Sequence, residues 1–192
     1  VSGTIFLGKM VEPVSSTKNP YSKMEMGVPY THTPKFLQFD YRLVAPAGAP
    51  IYSSGFGSKK KLSGRDNAEV FVLLQRRWED AKGNIHAERV GTGRERFGKT
   101  TMGWVNKHRI PIWYGDIRHH AGYKSFMGLI PKEKSYYARN SKGKMKPVIE
   151  EKWAPVGTKP THVLVMLSSG CGTAYTGTVG MTLWVDNVAF VH

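Results

Sequence analysis

Cysteine is nearly missing: the 192 residues hold one, Cys171. A lone thiol excludes an internal disulfide and any cysteine-cluster metal site. Acids are scarce too, with 14 Asp and Glu against 28 Lys and Arg, a formal net charge of +14. So few carboxylates leave little room for the paired Asp or Glu of a glycosidase cleft, and the sequence pairs none of them. Glu12, Glu25, Glu133 and the pair Glu150-Glu151 fall in exposed contexts, whereas Asp40, Glu79, Asp80 and Asp116 could face a cleft. No run of 18 apolar residues occurs, so no helix of membrane-spanning length is expected. A sustained helical stripe is also missing, and Gly103 and Pro111 would break the one candidate, around residues 100–110. No signal-peptide pattern is present, and the strand-like start at Val1 fits a trimmed mature domain.

What is present points to strands. With 21 Gly and 11 Pro the chain is unsuited to a helical bundle, while 40% apolar and 22% charged residues are ordinary for a globular protein. Leu37, Phe39, Tyr41 and Leu43 alternate with Gln38, Asp40 and Arg42, the pattern of a half-buried strand. Residues 70–74 and 163–167 are continuous apolar runs, read as central strands covered on both faces. Near the C-terminus Leu183 and Val185 share one parity and Val188 and Phe190 the other. A bulge near Asp186-Asn187 would return all four to one side. Weaker strands are expected over 3–10, 85–90, 110–114 and 145–151. Turn clusters separate them, at 45–50, 53–57, 80–84, 139–143 and 155–160. The expected fold is all-β: a two-sheet antiparallel β-sandwich forming a single domain over residues 1–192.

The most regular motif, Gly93-Arg94-Glu95-Arg96-Phe97-Gly98-Lys99-Thr100, fits the phosphate-binding loop pattern. That loop needs a buried strand before it and a helix after it. Here the preceding strand is polar and the following segment contains Gly103, so the match is a decoy. His108, His119 and His120 lie near Asp116, but adjacent histidines on a strand point to opposite faces and do not converge on a metal. Cys171 reads as a free structural thiol.

The charge is localised. Residues 76–124 hold eleven Lys and Arg, and Lys59-Lys60-Lys61 with Arg65 form a basic loop, while the last forty residues carry only Lys159 and Asp186. Such a surface attracts polyanions. Trp78, Trp104, Trp113, Tyr114, Tyr123, Tyr136, Tyr137 and Trp153 lie in or beside polar segments, and a ring there can stack on a sugar face or a base. Trp184, inside the C-terminal strand, reads as structural. The candidate ligand-contacting set is Trp78, Trp113 and Tyr114 for stacking, with Arg76, Asp80 and Asp116 to orient hydroxyls. No catalytic residue and no metal ligand set is assigned.

Three stretches carry a resemblance. They are Gly27–Leu37 leading into Phe39-Asp40-Tyr41; residues 66–74 followed by Ile110–Tyr114; and residues 162–169 passing through Gly177–Gly180 to Leu183-Trp184-Val185-Asp186-Asn187-Val188. Together they resemble the carbohydrate-metabolism domain of Bacteroidetes surface proteins and, more loosely, jelly-roll carbohydrate-binding modules. The resemblance implies a jelly-roll topology and an exported, often lipid-anchored parent protein with this as its C-terminal module. Membrane contact would come only through the parent's anchor. It implies a polysaccharide or host glycan as partner, with no small-molecule cofactor and no nucleic acid. In related modules an Asp like Asp186 helps hold a structural calcium. The charge departs from a module for neutral glycans and favours an acidic polysaccharide. A glycoside hydrolase or polysaccharide lyase domain is the alternative, and a polyanion- or nucleic-acid-binding jelly roll the second.

Overall fold

The computed structural model describes residues 2–11, 20–55 and 57–192. Glu12 and part of the 53–57 turn thus lie outside the described residues. Among these no α-helix occurs, only 3-10 turns at Pro20–Lys23, Ser125–Met127 and Lys132–Lys134. The strands in chain order are β1 (Thr4–Phe6), β2 (Gly8–Met10), β3 (Met24–Met26), β4 (Val28–Pro29), β5 (Phe36–Val44), β6 (Ile51–Ser53), β7 (Lys60–Leu62) and β8 (Ala68–Glu79). They continue with β9 (Ile85–Phe97), β10 (Val105–Pro111), β11 (Trp113–Tyr114), β12 (Tyr137–Arg139), β13 (Met145–Trp153), β14 (His162–Ser168), β15 (Thr176–Thr178) and β16 (Thr182–Val191). The Lys60-Lys61 part of the expected basic loop is therefore a strand.

A ten-stranded sheet has the order β1-β14-β8-β9-β13-β12-β3-β2, with β11 added on β9 and β4 on β14. Two three-stranded sheets, β10-β5-β16 and β15-β6-β7, complete the fold. The large sheet is mixed, not wholly antiparallel as expected: β13 runs parallel to β9, and β12 parallel to β3. The chain between β9 and β13 is long enough to carry it back in the same direction, which a tight hairpin cannot do. The sheet also curls until its ends meet. β1 pairs with β14 and β2 with β3, and between them the Leu7 amide donates to the Val165 carbonyl while its own carbonyl accepts from the Gly27 amide.

The β8 strand is buried on both faces, as its apolar run requires. Ala68, Val70, Val72 and Leu74 meet Leu37, Phe39, Leu43 and Ile110 of the β10-β5-β16 sheet. Phe71 and Leu73 point the other way, into a second cluster with Met26 and Leu164. Each such side chain contributes about 1.5–3 kcal/mol through burial. Gly93 has a steric reason here. A Cβ would stand 2.9 Å from the Pro111 carbonyl oxygen and from Val72 Cγ1, so a larger residue would push the two sheets apart. The phosphate-loop pattern is β9 strand through Phe97.

The bulge at the C-terminus is present, with a register shift between Asp186 and Ala189 and a left-handed Asn187 at φ 52°. Leu183, Val185 and Phe190 pack on the core, but Val188 falls within the bulge and is 46% exposed, contrary to the expected set of four.

The concave side of the curled sheet encloses charge. Arg89 and Glu150 are both fully buried side chains. Arg89 Nε donates to Glu150 Oε1 at 2.6 Å and its Nη2 to Oε2. Gln75 Nε2 and the Ile130 amide complete the carboxylate's partners, at 2.5 and 2.8 Å. Glu150 is therefore not exposed as its sequence context suggests, because β13 is inserted beside β9. Burial lowers the Arg77 pKa to about 10, against the opposing pull of Glu150. A second buried carboxylate, Glu69, accepts from Arg94 and Arg96. Removing one partner strands a buried charge. Arg89→Ala or Glu150→Ala should each cost about 3–5 kcal/mol in urea unfolding. The double replacement Arg89→Ala with Glu150→Ala should lose clearly less than the two singles added together, and strict additivity would show the pair is not coupled.

Candidate functional site

The six residues singled out in the sequence divide into two groups on different parts of the large sheet. Arg76, Trp78 and Asp80 gather at the far end of β8, beyond the area the small sheet covers. Trp78 is 38% exposed and stacks on His86 of β9, with centroids 5.6 Å apart and planes at 18°. His86 Nδ1 meets Glu151 Oε1 at 2.6 Å and its Nε2 meets Asp80 Oδ2 at 3.3 Å. Beside it, Arg76 and Lys152 share the carboxylate of Glu88. Asp80 is also the closing residue of the β8–β9 turn: it accepts from the Lys82 and Asn84 amides and from Asn84 Nδ2. The Asn84 contacts foremost hold its carboxyl well below the usual range.

Trp113, Tyr114 and Asp116 lie further along β9. Tyr114 packs on the main core and donates its hydroxyl to the Pro34 carbonyl at 2.6 Å. Burial, reinforced by Tyr30, pushes its pKa up to about 12. Trp113 sits opposite Thr92, on the other face of β9, and stacks on His120 at 3.8 Å. Asp116 is held in a two-pronged pair by Arg118. These three are engaged with their own neighbourhood and do not converge with Trp78.

A different aromatic surface was missed. On the outward face of the β10-β5-β16 sheet, Trp184 pairs directly with Arg42, whose guanidinium carbon stands 5.3 Å from the indole centroid. Trp104 immediately precedes Val105, the partner of Tyr41, and so borders the same row from the β10 side. Trp184 is 42% and Trp104 48% exposed. Trp184 and Arg42 thus stack across two strands, and Trp104, just before β10, is exposed beside them on the other side of β5. The signal was available, since the alternation that turns Leu183 and Val185 inward turns Trp184 outward. Further along this face Asp40 accepts from the Lys107 amide at 2.5 Å and from Asn187 Nδ2 at 2.7 Å, the first of these foremost in lowering its pKa. Asp186, directly across from Asp40, accepts from the Asn187 amide. Among the described residues no group of three or more His, Cys, Asp or Glu gathers for a metal.

The chemistry of such a surface is contact and hydrogen bonding. The carboxylates enclosed by the sheet, Glu69 and Glu150, are both tied to arginines. No family model matches the chain. No curated protein matches it by sequence. Among solved structures it is similar in fold to a putative glycoside hydrolase from Bacteroides vulgatus ATCC 8482, with a TM-score of 0.57 and 15% identity over 99% of this chain. The chain spans 64% of that structure's length.

The His86 environment yields a pH test. Partial burial opposes its charge, but Asp80 and then Glu151 outweigh that, and the imidazole pKa is raised. The stabilisation is thus full below the unfolded value, about 6.5. It is lost as the pH rises through the folded-state pKa. An NMR titration should place His86 above the ordinary histidine range, with Glu151→Gln bringing it down; an unmoved titration would remove Glu151 as its partner.

Proposed function

We propose that this chain is a non-catalytic carbohydrate-binding domain that holds a glycan on the outward face of the β10-β5-β16 sheet. The observation that supports it best is the exposed Trp184–Arg42 pair, with the exposed Trp104 bordering it from the β10 side. Large exposed aromatics on a sheet face have an apolar side that suits the C–H side of a pyranose ring, and the guanidinium beside Trp184 offers donors to hydroxyls. The fold likeness to a glycoside hydrolase-named structure is consistent with a carbohydrate setting. Trp78 with Arg76 forms a second contact area at the end of β8. The jelly-roll topology, the export to a bacterial surface on a longer anchored chain, and a preference for acidic polysaccharide belong to the same proposal. A calcium at Asp186 is not required by it.

The test is an affinity-gel and glycan-array screen at low and high salt, with a reducing-sugar assay on the same samples. Trp184→Ala and Trp104→Ala should each weaken glycan binding about tenfold or more, as hot-spot aromatics do. Their thermal midpoints should stay within a degree or two of the parent, because exposed contacts contribute little. Tyr114→Ala, by contrast, should destabilise by about 3 kcal/mol without being a binding variant as such. Release of reducing ends would replace this reading with a hydrolase. Binding that disappears in salt and spares no glycan class would assign it to net charge alone.

A further inference from the structure

The three strands of the platform all run, at one end, into a basic cleft. Arg42 lies three residues before Ala45, Trp184 three after Met181, and Trp104 four after Thr100; Ala45, Met181 and Thr100 all line this cleft. At about 3.3 Å per residue, the row and the cleft mouth are on the order of 10 Å apart, roughly two sugar units. The cleft encloses about 650 Å³. It lies between the 45–50 turn, the β7 strand and the end of β9.

Its charge is one-sided. Lys61, Arg65 and Lys99 line it, against one acid, Asp66. Among the described residues none of those three cations is in an ion pair; Arg65 donates only to the Gly98 carbonyl, at 2.5 Å. Asp66 is already occupied. Its Oδ1 accepts from the Asn67 and Cys171 amides and its Oδ2 from the Thr178 hydroxyl, so it braces the cleft wall. Thr100 is likewise used to tie the end of β5, accepting from the Ala45 amide at 2.9 Å. The wall is therefore fixed by hydrogen bonds, while the cations remain free to meet a ligand.

Among the described residues no aromatic side chain lines this volume. It is suited to an anionic group and ill suited to stacking a neutral ring. Resting on the carbohydrate-binding reading, we infer that the cleft formed by Lys61, Arg65 and Lys99 is the acid-group subsite of the glycan site. It takes the carboxylate of a uronic acid or the sulfate ester of a sugar whose neighbours stack on Trp184 and Trp104. The shared chemistry is a singly charged oxyanion held by unpaired cations in a concave site, where field lines are focused.

The experiment compares Lys61→Gln/Lys99→Gln with Lys132→Gln/Lys134→Gln, which removes the same charge from an exposed turn on the opposite part of the chain. Titrations use a hexagalacturonate, its fully methyl-esterified form and a sulfated galactan hexasaccharide, in moderate salt. The cleft variant should lose about tenfold for at least one acidic probe, the loss of one charged contact. The control should change by less than about twofold, since an exposed charge away from the ligand acts only through a screened field. Whichever acidic probe responds identifies carboxylate or sulfate. Equal losses in the two variants, or parent-like binding of both acidic probes by the cleft variant, would overturn the subsite. If the methyl ester still binds through Trp184 while the cleft variant behaves as the parent, the platform stands and the cleft fails. If no saccharide binds, but inorganic sulfate shifts the Lys61 and Lys99 amide resonances in NMR, the anion site stands and the carbohydrate reading fails.

Discussion

Everything in this fold follows from burying β8 on both sides. Its even-numbered residues, from Ala68 to Leu74, need an apolar cover, and the β10-β5-β16 sheet supplies it. Its odd-numbered residues, Phe71 and Leu73, need a second cover, which the large sheet makes by curling back on itself. A strand buried on one face only would have asked for neither. The polar residues that continue those odd positions, Glu69, Gln75 and Arg77, are drawn inside with them, and they are tolerable only because Arg94, Arg96, Glu150 and the Met26 carbonyl answer them. The buried ionic network is thus a consequence of the topology.

This division of labour also determines what is left for contact with other molecules. The concave side of the large sheet is filled, and its carboxylates and arginines neutralise one another. The outward face of the small sheet carries the opposite situation: exposed indoles, and an arginine lying over one of them at the surface. The +14 charge is spread over many loops, but in the cleft beside that face three cations stand together with no ion pair among the described residues, so the charge has a local address there as well as a total.

Period-two patterning made β5 legible residue by residue, and continuous apolar runs identified β8 and β14 as interior strands. The bend at Asp186-Asn187 was legible from a parity conflict, which a left-handed Asn187 resolves. Other features were not. Parallel pairing of β13 with β9 depends on where a long connection returns, and no local pattern encodes that. Glu150 reads as solvent-facing beside Glu151, since its burial is decided by Arg89 sixty-one positions away. Tyr114 reads as a surface aromatic because its partner, the Pro34 carbonyl, is equally remote in sequence. Trp184 is the instructive case: its facing was present in the alternation with Leu183 and Val185, but an aromatic within a strand is more often core, and that expectation outweighed the parity.

The closure through Leu7 bears on how the molecule behaves in a crowd. An open sheet ends in rows of unsatisfied amides and carbonyls that can recruit a strand from another chain, the first step of fibre growth. Here one short segment supplies both the first and the last member of the largest sheet, so each end of that order is a strand of only three residues, a short edge that gives a second chain little to pair with. The two small sheets have borders as well. One of those borders, β7, is Lys60-Lys61-Leu62, whose like charges repel a second copy of itself.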